Sequence, residues 1–222
     1  MKILGIDSST DRLSVGLCRD GKIISDRSID SLREHGSRIM GLIDSTLKGS
    51  KIEVIALDGV AVAVGPGSFT GLRVGMAAAK GLAQALNIPI VGISTFEVVA
   101  HRLLNEVDEF VLVEQARKGE FYFCHMDIES DILSNMKLVA LENLGVKVEN
   151  LPVGLIGVAA DWPIESNQTI HSEKTKVSGA ELAILGEEKI LNGRADDLAQ
   201  LEPLYIAPSQ AEIKYGRTKS SN

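Results

Sequence analysis

The chain has 222 residues, of which 45% are hydrophobic and 24% charged, and this composition suits a folded protein with a substantial core. Its formal net charge of −7 argues against a protein that binds nucleic acid alone, because such proteins carry a basic face. No apolar run of about 18 residues is present, so no membrane span is expected, and the residues before Asp7 are too few for a signal peptide. The two cysteines, Cys18 and Cys124, indicate reduced thiols. We therefore expect a cytoplasmic protein.

The first hundred residues alternate between strand-like and helix-like patterns. Leu13 to Cys18 alternates apolar with small or polar residues and predicts a half-buried strand, and Asp20-Gly21 predicts the hairpin turn after it. Ser50 to Glu53 matches a capping box and predicts a short helical turn. In chain order we predict strands over Lys2–Ile6, Leu13–Cys18 and Lys22–Ser28, a helix over Glu34–Leu47, a strand over Gly59–Val64, a helix over Thr70–Leu86, a strand over Ile90–Ile93 and a helix over Thr95–Leu104.

A glycine-rich stretch, Gly65 to Gly75, connects a predicted strand to the helix after it. Free N–H groups and the helix dipole point the same way at a helix N-terminus, so such a turn can bind an anion. Its spacing excludes a Walker A loop, a dinucleotide loop and a nucleophile elbow. The local pattern leaves two interpretations open: an anion site, or a tight turn that binds nothing. With the polar turn after the first strand, this stretch forms a pair of nucleotide or phosphate loops, which we expect to be vestigial: Asp7, Ser8, Ser9, Thr10, Gly65, Gly67, Ser68 and Thr70.

The helix that follows the glycine-rich stretch carries two apolar stripes, whereas an ordinary surface helix needs one. Burial on two sides is therefore expected, one against its own sheet and one against something else. The alternative is a central helix enclosed wholly within its own domain. The small residues of the second stripe, with two larger residues of the preceding helix, predict a partner interface formed by Met40, Ile43, Gly71, Gly75, Ala78, Leu82 and Ala85.

The element order β-β-β-α-β-α-β-α is typical of one half-domain of the actin-like ATPases and sugar kinases. In the second half we predict strands over Val111–Val113, Phe121–Asp127, Ile132–Val139 and Val153–Val158, a polar connection over Asp161–Glu173, and a helix from Ser178 to Leu191. The expected fold is α/β, of the actin-like ATPase (ASKHA, ribonuclease H-like) type, with two lobes. Residues 1–104 are predicted to form the first lobe, 105–213 a reduced second lobe and 214–222 a flexible polar tail.

Four segments together resemble the bacterial TsaB (YeaZ) family over nearly the whole chain. They are Asp7-Ser8-Ser9, the eleven residues from Gly65 to Gly75, Ala116 to Tyr122, and Glu202 to Tyr205. The resemblance implies an actin-like fold and a role in making threonylcarbamoyladenosine in tRNA. It also implies a non-catalytic subunit that pairs with a TsaD-like paralogue, is joined by a TsaE-like ATPase, and forms a homodimer when the paralogue is absent. Contact with tRNA is then expected only through the complex, with weak or no binding of ATP and no cofactor.

The chain differs from the catalytic TsaD-like paralogue at two positions that bear on metal binding. TsaD-like chains carry two metal-binding histidines four residues apart, and the matching positions here hold Thr95 and Val99. A hydroxyl is a poor replacement for imidazole and a valine offers no ligand atom, so no catalytic metal is expected. The competing interpretation is an independent ATPase or phosphotransferase that uses Asp7 as its metal-linked carboxylate or base. An older label for the family is peptidase, but this sequence shows no Ser-His-Asp arrangement that would support peptidase activity.

Overall fold

A computed structural model describes residues 1–30, 34–128, 135–147, 151–157, 169–170, 172–204 and 206. Five strands form the first sheet in the order β3-β2-β1-β4-β5. The first three strands pair antiparallel, and β4 and β5 continue the sheet parallel to β1. The strand bounds are β1 Lys2–Asp7, β2 Arg12–Arg19, β3 Lys22–Asp30, β4 Gly59–Gly65 and β5 Ile90–Ser94.

Four strands form a second sheet in the order β8-β7-β6-β9. The antiparallel pair β6–β7 is its centre, and β9 runs parallel to β6. The strand bounds are β6 Glu109–Arg117, β7 Glu120–Asp127, β8 Lys137–Ala140 and β9 Val153–Ile156. The helices are α1 His35–Gly49, α2 Phe69–Leu86, α3 Thr95–Leu103, α4 Leu141–Lys147 and α5 Gly179–Leu191.

Both faces of the first sheet are buried along β1, β2 and β4, whose successive side chains point to opposite faces. Leu4 and Ile6 face one core with α1 and α2. Ile3 faces a second core that includes α3, α5 and residues of the second sheet such as Leu112. Helix α5 lies close to the first sheet: a Cβ added at Gly5 would sit 1.9 Å from the carbonyl oxygen of Gly179.

Helix α5 lies within the predicted second lobe, residues 105–213, and packs on β1, β2 and β4 of the first sheet. Two predictions about local structure need correction. Ser50 does not cap a helix, because its hydroxyl donates to the Thr46 carbonyl at the end of α1. The strand predicted to begin at Ile132 is observed as Lys137–Ala140, and residues 129–134 lie outside the described part. The predicted polar connection over 161–173 and the tail 214–222 fall largely or wholly outside it as well.

Helix ends follow the sequence signals in two places. The Ser68 hydroxyl caps α2 by accepting from the Gly71 N–H, and Asn87 ends the helix in the left-handed conformation. The Ser178 hydroxyl accepts from the Glu181 N–H and opens α5. Within the described residues, no helix has both the length and the apolar character needed to cross a bilayer.

Candidate functional site

The polar turn after β1 and the glycine-rich loop after β4 lie side by side. They meet because β1 and β4 are parallel neighbours, with Ile6 beside Val62, so both strands end at the same edge of the sheet. The side chains of Asp7, Ser8 and Ser9 are all buried at this edge. The predicted phosphate-facing residues of the two turns are therefore brought together, although Ser68 and Thr70 are exposed.

Hydrogen bonds fasten the two turns to each other. The Ser68 N–H donates to the Ser9 carbonyl at 2.6 Å, and the Ser8 hydroxyl donates to the Gly71 carbonyl at 2.8 Å. The Gly71 N–H donates to the Ser68 hydroxyl. Two N–H groups that an anion would use at the start of α2 are thus already engaged within the chain. This arrangement favours a closed junction between the turns over an open phosphate cradle.

Three glycines allow α2 to approach the β1 turn this closely. An added Cβ would lie 2.6 Å from the Ser9 carbonyl oxygen at Gly67, 2.0 Å from the Ser8 carbonyl oxygen at Gly71, and 2.3 Å from the Ser8 hydroxyl at Gly75. Backbone atoms cannot move aside as a flexible side chain can. The glycine spacing is therefore explained by packing inside the chain.

We expect Gly71→Ala to destabilise the protein by about 1–3 kcal/mol, because the new methyl group forces α2 away from the β1 turn. Gly81→Ala is the matched control on the same helix, since a Cβ there meets nothing within 4 Å. It should stabilise by about 0.5–1 kcal/mol through helix propensity alone. Urea unfolding followed by circular dichroism measures both changes; equal effects of the two substitutions would contradict the packing explanation.

Asp7 lies at the end of β1 with one carboxylate oxygen unsatisfied. Its Oδ1 accepts from the Ser9 N–H at 3.0 Å, whereas Oδ2 has no hydrogen-bond partner among the described residues. Burial raises the pKa of Asp7 to about 6, and the hydrogen bonds from Ser9 offset part of that rise. Beyond the turn, the His35 Nε2 atom lies 2.8 Å from the Thr10 carbonyl oxygen and ties α1 to the site.

Glu114 is a site residue that the sequence analysis missed. It is buried on β6, and its Oε2 also lacks a partner in the described part of the chain. Burial and the neighbouring charge of Asp7 raise the pKa of Glu114 well above its ordinary value. Its one sequence signal was an acidic residue directly after the apolar run Phe110–Val113. The site thus holds two buried carboxyl groups, one from each sheet.

The positions that match the histidines of TsaD-like chains serve the fold here. The Thr95 hydroxyl is buried and donates to the Pro66 carbonyl of the glycine-rich loop at 2.9 Å. Val99 is fully buried in the core beneath the loop. Among the described residues, no three histidine, cysteine, aspartate or glutamate side chains lie close enough together to hold a metal ion.

The predicted partner interface divides into buried and exposed residues. Gly71 and Gly75 face the β1 turn, and Ile43 is only 2% exposed in the core beneath α1. Within the chain these three are therefore packed inward, and their place in a partner interface stays a prediction. Gly71 and Gly75 lie on the side of α2 that meets the β1 turn, and Ile43 lies on the core-facing side of α1. The others do reach the surface: Met40 and Ala85 are exposed, and Ala78 and Leu82 are half-buried.

An outer face remains on the adjacent helices α1 and α2. Met40 is 53% exposed and Phe69 42%, and the Arg73 guanidinium lies 3.9 Å from the centre of the Phe69 ring. Small residues dominate the rest of this surface, which we call the α1/α2 face and which comprises Gly36, Met40, Gly41, Phe69, Arg73, Ala77, Ala78, Gly81, Leu82 and Ala85. A Cβ added at Gly36, Gly41 or Gly81 would meet nothing within 4 Å, so the fold itself does not require these glycines.

Two solved structures from Pseudomonas aeruginosa share this architecture. One is described as an uncharacterized protein with similarity to peptidase YEAZ, and it matches with a TM-score of 0.74 at 21% identity, covering 93% of this chain and 99% of that chain. The other is described as YeaZ and matches with a TM-score of 0.71 at 23% identity, covering 92% of this chain and 99% of that chain. The fold and the paired turns define an α/β protein of the actin-like (ASKHA, ribonuclease H-like) class.

Sequence comparisons identify the family within this fold class. A family profile for TsaD, described as tRNA N6-adenosine threonylcarbamoyltransferase, matches residues 27–213. A Bacillus subtilis protein named tRNA threonylcarbamoyladenosine biosynthesis protein TsaB is 30% identical over 97% of this chain and 98% of its own length. An Escherichia coli protein of the same name is 34% identical, over 55% of this chain and 54% of its own. The chain belongs to this family of TsaD-related proteins, as a TsaB-type member.

Proposed function

We propose that this chain is the non-catalytic scaffold subunit of a complex that makes threonylcarbamoyladenosine in tRNA. In this role it pairs with a TsaD-like paralogue, which transfers the threonylcarbamoyl group, and a TsaE-like ATPase joins the pair. The relatives' names support the process. The observation that carries the scaffold role is the α1/α2 face, with three exposed helical glycines for which the chain itself has no use.

The exposed helical glycines support this role because they lower the stability of the isolated chain. A glycine within an exposed helix destabilises it by about 1 kcal/mol relative to alanine. Gly41 and Gly81 lie within α1 and α2, where an added Cβ would be free of contacts. A partner whose backbone comes close to these helices would explain why both positions hold glycine. The same face would meet itself in a two-fold homodimer when the paralogue is absent.

The buried junction of the two turns supports a non-catalytic subunit. A nucleotide needs free N–H groups for its phosphates, and the Ser68 and Gly71 N–H groups are engaged with Ser9 and Ser68. The competing function is an independent ATPase or phosphotransferase based on Asp7. Its support is the burial of the Asp7 carboxylate. With a net charge of −7, contact with tRNA would come through the complex.

We expect the isolated chain to hydrolyse ATP no faster than a buffer blank, because its glycine-rich loop is closed by its own hydrogen bonds. A coupled phosphate-release assay with ATP and Mg²⁺ measures this. Asp7→Asn provides the internal check, since turnover that this substitution abolishes would establish the phosphotransferase function instead. Residual turnover equal in both proteins would indicate a contaminating ATPase.

Reconstitution tests the complete proposal. Unmodified tRNA, an activated threonylcarbamoyl donor, a TsaD-like protein and a TsaE-like ATPase from one organism are combined with and without this chain. We expect modified adenosine, measured by mass spectrometry of nucleosides, to form efficiently only when the chain is present. Equal product yield without the chain would contradict the scaffold role.

A further inference from the structure

Three basic side chains stand in a row across neighbouring strands of the first sheet, at the end of the sheet opposite the β1 turn. Lys2 on β1 lies directly opposite Arg19 on β2, and Arg19 lies directly opposite Lys22 on β3. Directly opposite residues of an antiparallel pair point to the same face and lie about 5 Å apart. Arg19 and Lys22 are exposed and Lys2 is half-buried. We call these three residues the basic row.

The basic row lies on the face of the sheet that carries α1 and α2. Leu4 and Leu17, two positions away along β1 and β2, belong to the core beneath these helices, and side chains two positions apart on a strand share a face. Leu47 and Ile52, at the end of α1, pack in the same core. The carboxyl end of α1 therefore covers this end of the sheet, and the exposed Lys51 adds a fourth cation there.

The acidic residues near the basic row are engaged elsewhere. The Asp58 Oδ2 atom accepts from the backbone N–H of Lys2 at 2.7 Å, and Asp20 Oδ1 lies 2.5 Å from the Met1 amino group. The hydrogen bond from Met1 lowers the pKa of Asp20, and the charges of two cations of the row lower it further. Glu187 also binds the Met1 amino group, from α5 on the opposite face. Among the described residues, no carboxylate forms an ion pair with a side chain of the row.

The stability of the isolated chain does not explain the basic row. Like charges directly opposite each other on neighbouring strands destabilise a sheet. A lysine on an edge strand protects the edge from pairing with another sheet, which accounts for Lys22 on β3. Strands β1 and β2 are interior strands, so this reason does not extend to Lys2 and Arg19. A row of mutually repelling cations is suited instead to an anionic partner that neutralises all three together.

We propose that the basic row contacts the phosphate backbone of the tRNA when this chain is paired with its paralogue, an inference that rests on the proposed function. Phosphate contacts need cations and no stacking platform, and only 4% of the chain is aromatic. The row lies at the carboxyl end of α1 and so adjoins the α1/α2 face, where the paralogue is proposed to dock. Because the net charge of the chain is −7, the row contributes as part of the larger RNA surface of the complex.

Fluorescence anisotropy of labelled tRNA, titrated with the complex of this chain and a TsaD-like paralogue at several salt concentrations, tests the basic row. Replacing all three residues of the row with glutamine should weaken tRNA binding about tenfold or more at low salt. It should also make the dependence of log Kd on log salt concentration shallower by about 2–3, because each phosphate contact releases counter-ions. The matched control replaces the exposed Lys118, Lys137 and Lys174 with glutamine, which changes the net charge equally and should leave tRNA binding close to that of the wild type.

Lysine footprinting of the wild-type complex gives a second readout that needs no variant. Bound tRNA should reduce acetylation of the Lys2 and Lys22 amines several-fold and leave that of Lys118 unchanged, as measured by mass spectrometry. Equal labelling with and without tRNA would overturn the proposal, as would equal loss of affinity in the row variant and the control. Protection by the paralogue or the TsaE-like ATPase without RNA would also overturn it and assign the row to a protein contact.

Calorimetric titration of the paralogue separates the failure of this inference from the failure of the proposed function. The row variant should bind the paralogue with wild-type affinity, because the basic row lies outside the α1/α2 face, and circular dichroism confirms its folding. Normal pairing with unchanged tRNA binding in the row variant would overturn the contact with RNA alone. Absence of pairing in the wild type would contradict the proposed function and this inference with it.

Discussion

Replacing Ala77 with Glu is expected to weaken binding to a TsaD-like paralogue by about a hundredfold, or about 3 kcal/mol, without unfolding the chain. Ala77 is exposed in the middle of α2, and both alanine and glutamate are good helix formers, so the isolated protein should tolerate the change. In a complex formed through the α1/α2 face, the carboxylate would be buried without a partner. A specific interface of this kind buries on the order of 1,600 Å² in total.

Ala195→Glu is the matched control, because Ala195 is an exposed alanine that follows α5 and lies outside the α1/α2 face. Calorimetric titration of the paralogue into each variant gives the affinities, and circular dichroism confirms folding. Light scattering on the isolated variants tests the homodimer in the same way. Wild-type affinity in a folded Ala77→Glu protein would show that the partner binds elsewhere.

Asp7→Asn is expected to stabilise the isolated chain in EDTA by roughly 2–3 kcal/mol at neutral to alkaline pH. Burial raises the pKa of Asp7 from 3.8 to about 6, and each pKa unit corresponds to about 1.36 kcal/mol, so ionising this carboxyl in the folded state costs roughly 3 kcal/mol. Asparagine keeps the shape and removes the charge.

The same pKa shift fixes the sign of the pH dependence. The folded chain keeps the Asp7 proton up to about pH 6, whereas the unfolded chain loses it near pH 3.8, so stability falls as pH rises between these values. Glu114, whose pKa is raised well above its ordinary value, extends the fall to higher pH. Asp7→Asn should therefore remove part of this loss, and its advantage should grow with pH.

Urea unfolding of wild type and Asp7→Asn, near pH 5 and near pH 8, measures both effects. Asp44→Asn is the control, because Asp44 pairs with Lys48 on the surface and should change stability by less than about 0.5 kcal/mol. Destabilisation by Asp7→Asn at the higher pH in EDTA would mean that the Asp7 carboxylate has a partner that compensates its charge.

The sequence predicts the local elements of the first hundred residues well, because hydrophobic period and turn chemistry are local signals. The strand, loop and helix around Gly65 to Gly75 are confirmed. The actin-like fold, expected from the element order and the family resemblance, is confirmed by the structural neighbours.

Tertiary contacts account for what the sequence did not reveal. The contact of Gly71 and Gly75 with the β1 turn could not be predicted, because spacing along a helix cannot tell which of two apolar stripes meets the sheet. The docking of α5 on the first sheet depends on Gly5 and Gly16 allowing close approach, which no local pattern encodes. Glu114 enters the site only when β6 is placed opposite the β1 turn.

Amide hydrogen exchange of the chain, with and without a saturating TsaD-like paralogue, tests the central claim most directly. We expect protection on binding to concentrate in α1 and α2, at residues 35–49 and 69–86, while β6 and β7, at residues 109–127, exchange at unchanged rates. Binding that protects the second sheet and leaves α1 and α2 unchanged would contradict the account, as would the absence of binding at saturating concentrations.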